Sequence, residues 1–258
     1  MPPADVARLT DEVRRIARAA GDEIMARYRG TLVARTKADS TPVTEADEAA
    51  ERLVLAGLRG LTPDIPIVAE ESVASGAAPT ATGDLWWLVD PLDGTKELLS
   101  RNGEFTVNVA LIEKGRPVLG VVHAPAVGRT YFAGGPGPAF AELAGEPAQA
   151  IRARTTPAEG AVVAVSRSHR NAATDRYLAQ TGVASEVVAG SALKFGLVAS
   201  GEADLYPRIG PTMEWDTAAG QAVLAAAGGS VRTLDGRELR YGKPGFLNPP
   251  FVARGRDE

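Results

Sequence analysis

An apolar run ending in two carboxylates, Trp86-Trp87-Leu88-Val89-Asp90-Pro91-Leu92-Asp93-Gly94-Thr95, constrains this chain more than any other feature. Leu88 and Val89 read as a buried strand, which Pro91 and Gly94 are expected to break at once. A strand cannot carry two anions into a core uncompensated, because burying an unpaired carboxylate is very costly. The acid pair is therefore expected at a strand end. Bunched carboxylates there, with backbone carbonyls turned outward by the break, suit hard divalent cations such as Mg2+. A solvated acidic turn is the plainer reading of a lone D-x-x-D, so the rest of the chain has to decide.

At 258 residues the chain can bury a substantial core, as one large α/β domain or two compact halves. A hydrophobic content of 45% with 23% charged residues argues against disorder. The net charge is only -4, and no Lys/Arg-rich stretch carries interleaved aromatics, so long nucleic acid is not an expected partner. A single nucleotide is compatible, since a local pocket can be basic on an acidic protein. The chain has no cysteine, which excludes disulfides, thiolate metal sites and Cys nucleophiles. Residues 1–18 mix Asp5, Asp11 and Glu12 with arginines and hold no continuous apolar segment. No signal peptide or membrane insertion is expected, and a cytoplasmic location is the default.

Val6, Leu9, Val13, Ile16, Ala17, Ala20, Ile24 and Tyr28 recur at three- and four-residue spacing, which predicts an amphipathic helix ended by Gly30. A second helix is expected from Thr44, where Thr44-Glu45-Ala46-Asp47 resembles a capping box. Residues 65–69 form a short apolar strand leading into Glu70-Glu71-Ser72, and residues 73–84 read as a mobile loop. Strands are expected over 105–112, 117–123 and 130–133, with a hairpin turn at Gly115-Arg116. Residues 134–138 break the pattern and 144–160 are loose. The boundary between two halves is placed near 135–158, giving an N-terminal α+β subdomain (1–140) and a C-terminal α/β subdomain (141–258). Beyond it, strands and helices alternate, which argues for a layered α/β architecture with sheets sandwiched by helices.

Acidic residues open helices or follow strand-like runs at four separated places: Asp47, Glu70, Asp90 and Asp216. One carboxylate at a helix N-terminus is ordinarily a favourable dipole contact and nothing more. Three blocks in order carry a more specific pattern: Glu70-Glu71, then Asp90-Pro91-Leu92-Asp93-Gly94-Thr95, then Glu214-Trp215-Asp216-Thr217-Ala218-Ala219-Gly220. They resemble the lithium-sensitive, Mg2+-dependent phosphatase superfamily of inositol monophosphatases, fructose-1,6-bisphosphatases and bisphosphate nucleotidases, over nearly the whole chain. That resemblance implies an αβαβα sandwich. Asp93-Gly94-Thr95-Lys96-Glu97, residues 102–108 (NGEFTVN), 190–195 (GSALKF), 203–208 (ADLYPR) and 210–216 (GPTMEWD) are similar to the bacterial 3′(2′),5′-bisphosphate nucleotidase branch. Inositol monophosphatases carry a second Thr and an Asn after the Asp-Gly-Thr and lack the Lys of the GSALKF segment, so the chain departs from them there.

The resemblance implies that Glu70, Asp90, Asp93, Asp216 and the Leu92 carbonyl bind two or three Mg2+ ions. Such ions activate water and hold the leaving oxygen in line. Thr95 and Asp47 match the family's pair that orients the water and accepts its proton, Thr95 being a poor base without the carboxylate behind it. Glu70 is also counted among the catalytic acids, and the N–H groups of Gly94 and Thr95 are expected on the phosphate. The Ser166-Arg167-Ser168-His169 segment, with Ser191, Lys194 and Arg208, is expected on the nucleotide and its second phosphate, and Asp216 on the substrate as well as the metal. Lys194 and Arg208 each suit a phosphate dianion. Glu71 is left between metal contact and outer support, and Trp86 and Trp87 are read as packing. The implied reaction removes the 3′-phosphate of adenosine 3′,5′-bisphosphate and extends to 3′-phosphoadenylyl sulfate. An inositol or sugar monophosphatase of the same fold, and a non-catalytic phospho-ligand binder, stand as alternatives. Family members are monomers or homodimers, and nothing in the chain decides between them.

Overall fold

The computed structural model describes residues 2–30, 32, 34–36, 42–77 and 83–257. In chain order its elements are α1 (Pro3–Tyr28), β1 (Ala34–Thr36), β2 (Pro42–Thr44), α2 (Glu45–Leu61), β3 (Ile67–Ala69), α3 (Glu70–Ala74), β4 (Leu85–Asp93), α4 (Thr95–Leu99) and β5 (Thr106–Glu113). Next come β6 (Arg116–Ala124), β7 (Arg129–Gly134), β8 (Ala139–Leu143), β9 (Gln149–Ile151), β10 (Ala161–Ser166) and α5 (Ala172–Leu178). The chain closes with β11 (Val183–Ala189), α6 (Leu193–Ala199), β12 (Leu205–Arg208), α7 (Ala218–Ala226), β13 (Ser230–Thr233) and β14 (Phe251–Arg254).

Alternation along β4 explains the layering. Trp86 and Leu88 point to one face, Trp87 and Val89 to the other, and all four are buried. Trp87 and Val89 pack with the apolar stripes of α1 and α2, among them Val13, Ala17, Val54 and Leu58. Trp86 and Leu88 pack with Phe195 and Val198 of α6, Val223 of α7, and Phe251 of β14. Trp87 satisfies its indole N–H on the Thr62 hydroxyl at 2.8 Å. The two tryptophans are thus packing residues on opposite faces of one strand.

β4 lies in a seven-stranded sheet, ordered β3-β4-β5-β6-β7-β8-β9, antiparallel except for the parallel β3–β4 pair. The second sheet is ordered β11-β10-β12-β14-β13. Its outer face buries Val163, Val165, Leu205 and Val252 with Leu178 of α5. Helices α1 and α2, the first sheet, α6 and α7, the second sheet and α5 therefore stack as an αβαβα sandwich. The first sheet ends at Ile151 and the second begins at Ala161; position 140 itself lies within β8.

Four expectations need correction. Pro91 does not break β4: the strand runs on to Asp93, and Pro91 sits where the register with β5 shifts between Asp90 and Asp93. A bulge tolerates the missing N–H of proline. The stretch taken as loose holds β9, while the predicted break at 134–138 does separate β7 from the next strand, β8. β14, a central strand of the second sheet, escaped notice because it is four residues long and follows two prolines. Of the expected loop over 73–84, Val73 and Ala74 belong to α3, and residues 78–82 lie outside the described residues.

His123 on β6 sits under α1, its Nδ1 2.9 Å from the Thr130 hydroxyl. Gly21 admits the ring: a Cβ there would stand 2.6 Å from the imidazole. Burial, reinforced by the Arg18 charge and opposed by Asp22 and Glu142, pushes the imidazole down from 6.5 to about 4. The folded state thus resists a proton that the unfolded chain accepts below about pH 6.5, so this stability is complete above pH 6.5 and is lost as pH falls toward 4. The loss is expected to reach at most about 3 kcal/mol. Denaturation curves of wild type and His123→Gln across this window should diverge accordingly; parallel curves would show that His123 does not carry the effect.

Candidate active site

The parallel pairing of β3 with β4 sets Ala69 beside Val89, so Glu70, where β3 gives way to α3, follows beside Asp90, which stays in β4 opposite Asn108. Asp93 follows on the same edge, opposite Thr106 of β5. Asp216 arrives from the other half, on the connection between β12 and α7. Helix α7 starts only at Ala218, so Asp216 precedes the helix it was expected to open. The Asp216 carboxylate accepts the Met213 N–H at 2.9 Å. Asn248 braces this loop by donating to the Met213 carbonyl at 2.8 Å and to the Thr217 hydroxyl at 3.0 Å. Glu214, beside Asp216 in sequence, accepts the N–H groups of Gly242 and Lys243 and pairs with the Lys243 ammonium at 2.6 Å, so it is a structural acid.

Glu70, Asp90, Leu92, Asp93, Gly94, Thr95, His169, Ser191, Lys194, Arg208 and Asp216 all line one cleft of about 450 Å³. Of the residues expected on the metals, the attacking water and the scissile phosphate, all but Asp47 are thus in the cleft wall. Asp47 is buried one hydrogen bond behind it, its Oδ1 accepting the Thr95 hydroxyl at 2.9 Å. Its Oδ2 accepts the N–H and hydroxyl of Thr44 at 2.8 and 2.6 Å, closing the capping box of α2. One carboxylate therefore ends a helix and backs Thr95 at once.

The acids at the cleft raise one another. Burial pushes Asp90 well above the ordinary carboxylate range, and Glu70, Asp93 and Asp216 push it further. Burial and the charges of Asp93 and Glu70 do the same to Asp216. Asp93 rises to about 6 through burial, an effect opposed by Lys194 and assisted by Glu97 and Glu70. Such a set of oxygen donors fits a hard divalent cation, which removes the repulsion. Among the described residues no three of these side chains meet at one point; they line the cleft wall instead.

The opposite end of the cleft is basic. Lys194, at the start of α6, is 2% exposed and donates to the carbonyls of Ser191 at 2.7 Å and Ala189 at 3.2 Å. Burial lowers its ammonium to about 8, against the pull of Asp93. Arg208 is buried too, with one guanidinium nitrogen on the Pro211 carbonyl at 2.8 Å and its Nε without an acceptor among the described residues. His169 stands at the exposed rim, its imidazole pushed down to about 4 by the cleft walls and the charges of Arg208 and Lys96. Ser191 takes a left-handed φ of 47° and donates its hydroxyl to the Asp93 carbonyl at 2.8 Å. Gly94, at φ 96°, makes room for it: a Cβ there would collide with the Ser191 hydroxyl.

Two expectations shift. Within residues 166–169 only Ser166 and His169 face the cleft; Arg167 and Ser168 are tied to Glu104 and Glu97. Glu71 does not line the cleft; its N–H donates to the buried Glu51 carboxylate at 2.9 Å, which also takes the Ser72 hydroxyl at 2.7 Å. Glu51 went unnoticed in the sequence, although it lies four residues after Asp47, next to the apolar stripe of Ala50, Val54 and Leu58. Tyr206 was missed as well, as an aromatic ring lining the cleft 5.1 Å from the Lys194 ammonium.

This fold and cleft are those of a family of phosphatases, and the chain belongs to it: residues 5–255 match the Inositol monophosphatase family. Among its relatives, the 3′(2′),5′-bisphosphate nucleotidase CysQ of Escherichia coli K12 is 49% identical over 246 residues, 94% of this chain and 98% of that protein. The protein of the same name from Haemophilus influenzae is 32% identical over 96% of this chain and 93% of its own length. In structure the chain is similar to CysQ from Bacteroides thetaiotaomicron, at a TM-score of 0.80 and 35% identity over 97% of this chain and 98% of that one. It also matches the Thermotoga maritima IMPase, at 0.79 and 28% over 96% and 92%.

If carboxylate repulsion dominates the cleft, Asp90→Asn raises the thermal midpoint of EDTA-treated protein by about 2–4 °C. Any rise that Mg2+ gives the wild type is expected to be absent from the variant. A lower midpoint in the variant would make Asp90 a structural acid.

Proposed function

We propose that this enzyme is a Mg2+-dependent 3′(2′),5′-bisphosphate nucleotidase that hydrolyses adenosine 3′,5′-bisphosphate to AMP and phosphate. The observation that carries the reading is the polarity of the cleft: an acidic wall backed by the Thr95–Asp47 hydrogen bond faces a buried Lys194 and Arg208. A substrate with two phosphates on one nucleoside matches both ends. The identity shared with the nucleotidases over nearly the full chain supports the same choice.

Glu70, Asp90, Asp93, Asp216 and the Leu92 carbonyl would hold two or three Mg2+ ions. When bound, Mg2+ supplies Lewis-acid polarisation of the phosphoryl group and neutralises charge building on its oxygens. The N–H groups of Gly94 and Thr95 hold the scissile phosphate at the opening of α4. Thr95 orients the attacking water and takes its proton while passing its own to Asp47. Burial raises the Asp47 carboxyl above its ordinary value, against hydrogen bonds from Thr44 and Thr95, which makes it the better acceptor. Attack from the Thr95 side breaks the bond from phosphorus to the 3′-oxygen, which leaves toward the basic end and takes a proton from solvent. Lys194, Arg208 and His169 hold the remaining phosphate and nucleoside, with Ser191 beside them. The proposal includes a cytoplasmic location, no long nucleic acid partner and no membrane insertion; among the described residues no helix is long and apolar enough to cross a membrane.

Phosphate release with Mg2+ on adenosine 3′,5′-bisphosphate and inositol 1-phosphate, side by side, should favour the nucleotide. Lys194→Met and Arg208→Met should remove that preference, while Asp47→Asn should lower kcat roughly a hundredfold or more on the nucleotide. Preference for the inositol ester would reject the nucleotide assignment and keep the metal chemistry.

A further inference from the structure

Three loops meet at the basic end of the cleft. One comes from the first half, residues 97–104 after the metal-side turn. The other two come from the second half: residues 166–169 after β10 and residues 190–194 after β11. The end of β10 and the loop after it carry Ser166 and His169 into the cleft, and the segment after β11 carries Ser191 and, in the first turn of α6, Lys194.

Two acids of the first half hold both. Glu104 makes a bidentate pair with the Arg167 guanidinium, 2.8 Å at each oxygen, and its carboxylate also accepts the Gly190 N–H. The pair draws the Glu104 carboxyl below its usual range, chiefly through the Arg167 hydrogen bonds. Glu97 is 2% exposed and accepts the Ser168 hydroxyl at 2.5 Å. Its chain also packs at Gly190, where a Cβ would stand 2.8 Å from the Glu97 Cγ and 2.7 Å from the Glu104 carbonyl. Glu97 lines the cleft, but neither acid joins the Thr95–Asp47 pair.

We propose that Glu97 and Glu104 are positioning residues that clasp the loops after β10 and β11 to the metal-bearing half, and so set the affinity of the basic end for its ligand. The inference rests on the nucleotidase reading for the identity of that ligand. Arg167 and Ser168, expected on the nucleotide, are the second half's side of this clasp. Because the clasp crosses between halves, releasing it moves His169, Ser191 and Lys194 together while leaving Thr95, Asp47 and the acidic wall in place. Its signature is a change in KM with little change in kcat.

The test uses Glu104→Gln, Arg167→Ala, their double variant and Arg167→Lys, with KM and kcat read on adenosine 3′,5′-bisphosphate. Each of the first two should raise KM about fivefold, with kcat within about twofold of wild type. The double variant should be no worse than either single one, since both break the same pair. Arg167→Lys should recover most of the loss. Additive effects, an unchanged KM, or kcat falling in step with KM would overturn the clasp. Wild-type turnover decides the nucleotidase reading separately. Should the wild type cleave inositol 1-phosphate instead, that reading falls, and the same variants read on that ester still decide the clasp.

Discussion

Repulsion between carboxylates that cannot leave one another is the constraint on which the rest of this structure depends. Asp90 is fixed by a strand buried on both faces: Trp86 and Leu88 anchor β4 to the inter-sheet core, and Trp87 and Val89 anchor it to α1 and α2. No small shift of β4 relieves the acids, because a one-residue slip would turn every anchored side chain to the wrong face. Glu70 is tied to the same register through the β3–β4 pair. The free energy of burying these apolar groups, about 2 kcal/mol for each large side chain, is what keeps the acids in place. A cation is then the available means of relief.

The basic end answers the acidic one across the cleft, and the charges of the two ends bear on each other. Burial raises Asp93 and lowers Lys194, and each charge opposes the other's shift. Neither partner is satisfied by the other alone, since Lys194 spends its hydrogen bonds on the carbonyls of Ser191 and Ala189. The Arg208 Nε likewise points at no acceptor among the described residues. A buried guanidinium donor without a partner is costly, and an anionic group placed between the two ends supplies what it lacks.

The sequence pointed to the residues that line the cleft better than to the architecture that supports them. Asp47, Glu70, Asp90, Asp93, Thr95 and Asp216 were singled out by the family resemblance of the blocks that carry them, each beside a local signal that alone has a plainer reading: a capping box, a short apolar run, an Asp-Gly turn, an Ala-rich helix. The two-sided burial of β4 was legible too, as a continuous apolar run instead of an alternating one. β8, β9 and β14 were not, since strands of three to five residues are specified by the neighbours they pair with. Pro91 misled for a related reason: its effect depends on whether the partner strand shifts register there, which β5 does and no local pattern announces. Glu51 and Asn248 were silent because their roles are long-range hydrogen bonds to backbone, which leave no periodic trace.

Ser191 shows how the two halves share one geometry. Its left-handed φ is unfavourable for a residue with a side chain, by about 1–3 kcal/mol. The conformation is held by two hydrogen bonds: the hydroxyl donates to the Asp93 carbonyl in the first half, and the carbonyl accepts from the Lys194 ammonium in the second. The backbone of an acid in the cleft wall is therefore bonded through a strained serine to the cation at the opposite end. Gly94 allows that approach by presenting no side chain, and Glu97 and Glu104 contact the same segment at Gly190. Ser191 thus joins the acidic and basic ends of the cleft through its two hydrogen bonds. A bisphosphorylated ligand, whose two anionic groups lie a fixed distance apart, is the kind of molecule for which such a link between the ends has value.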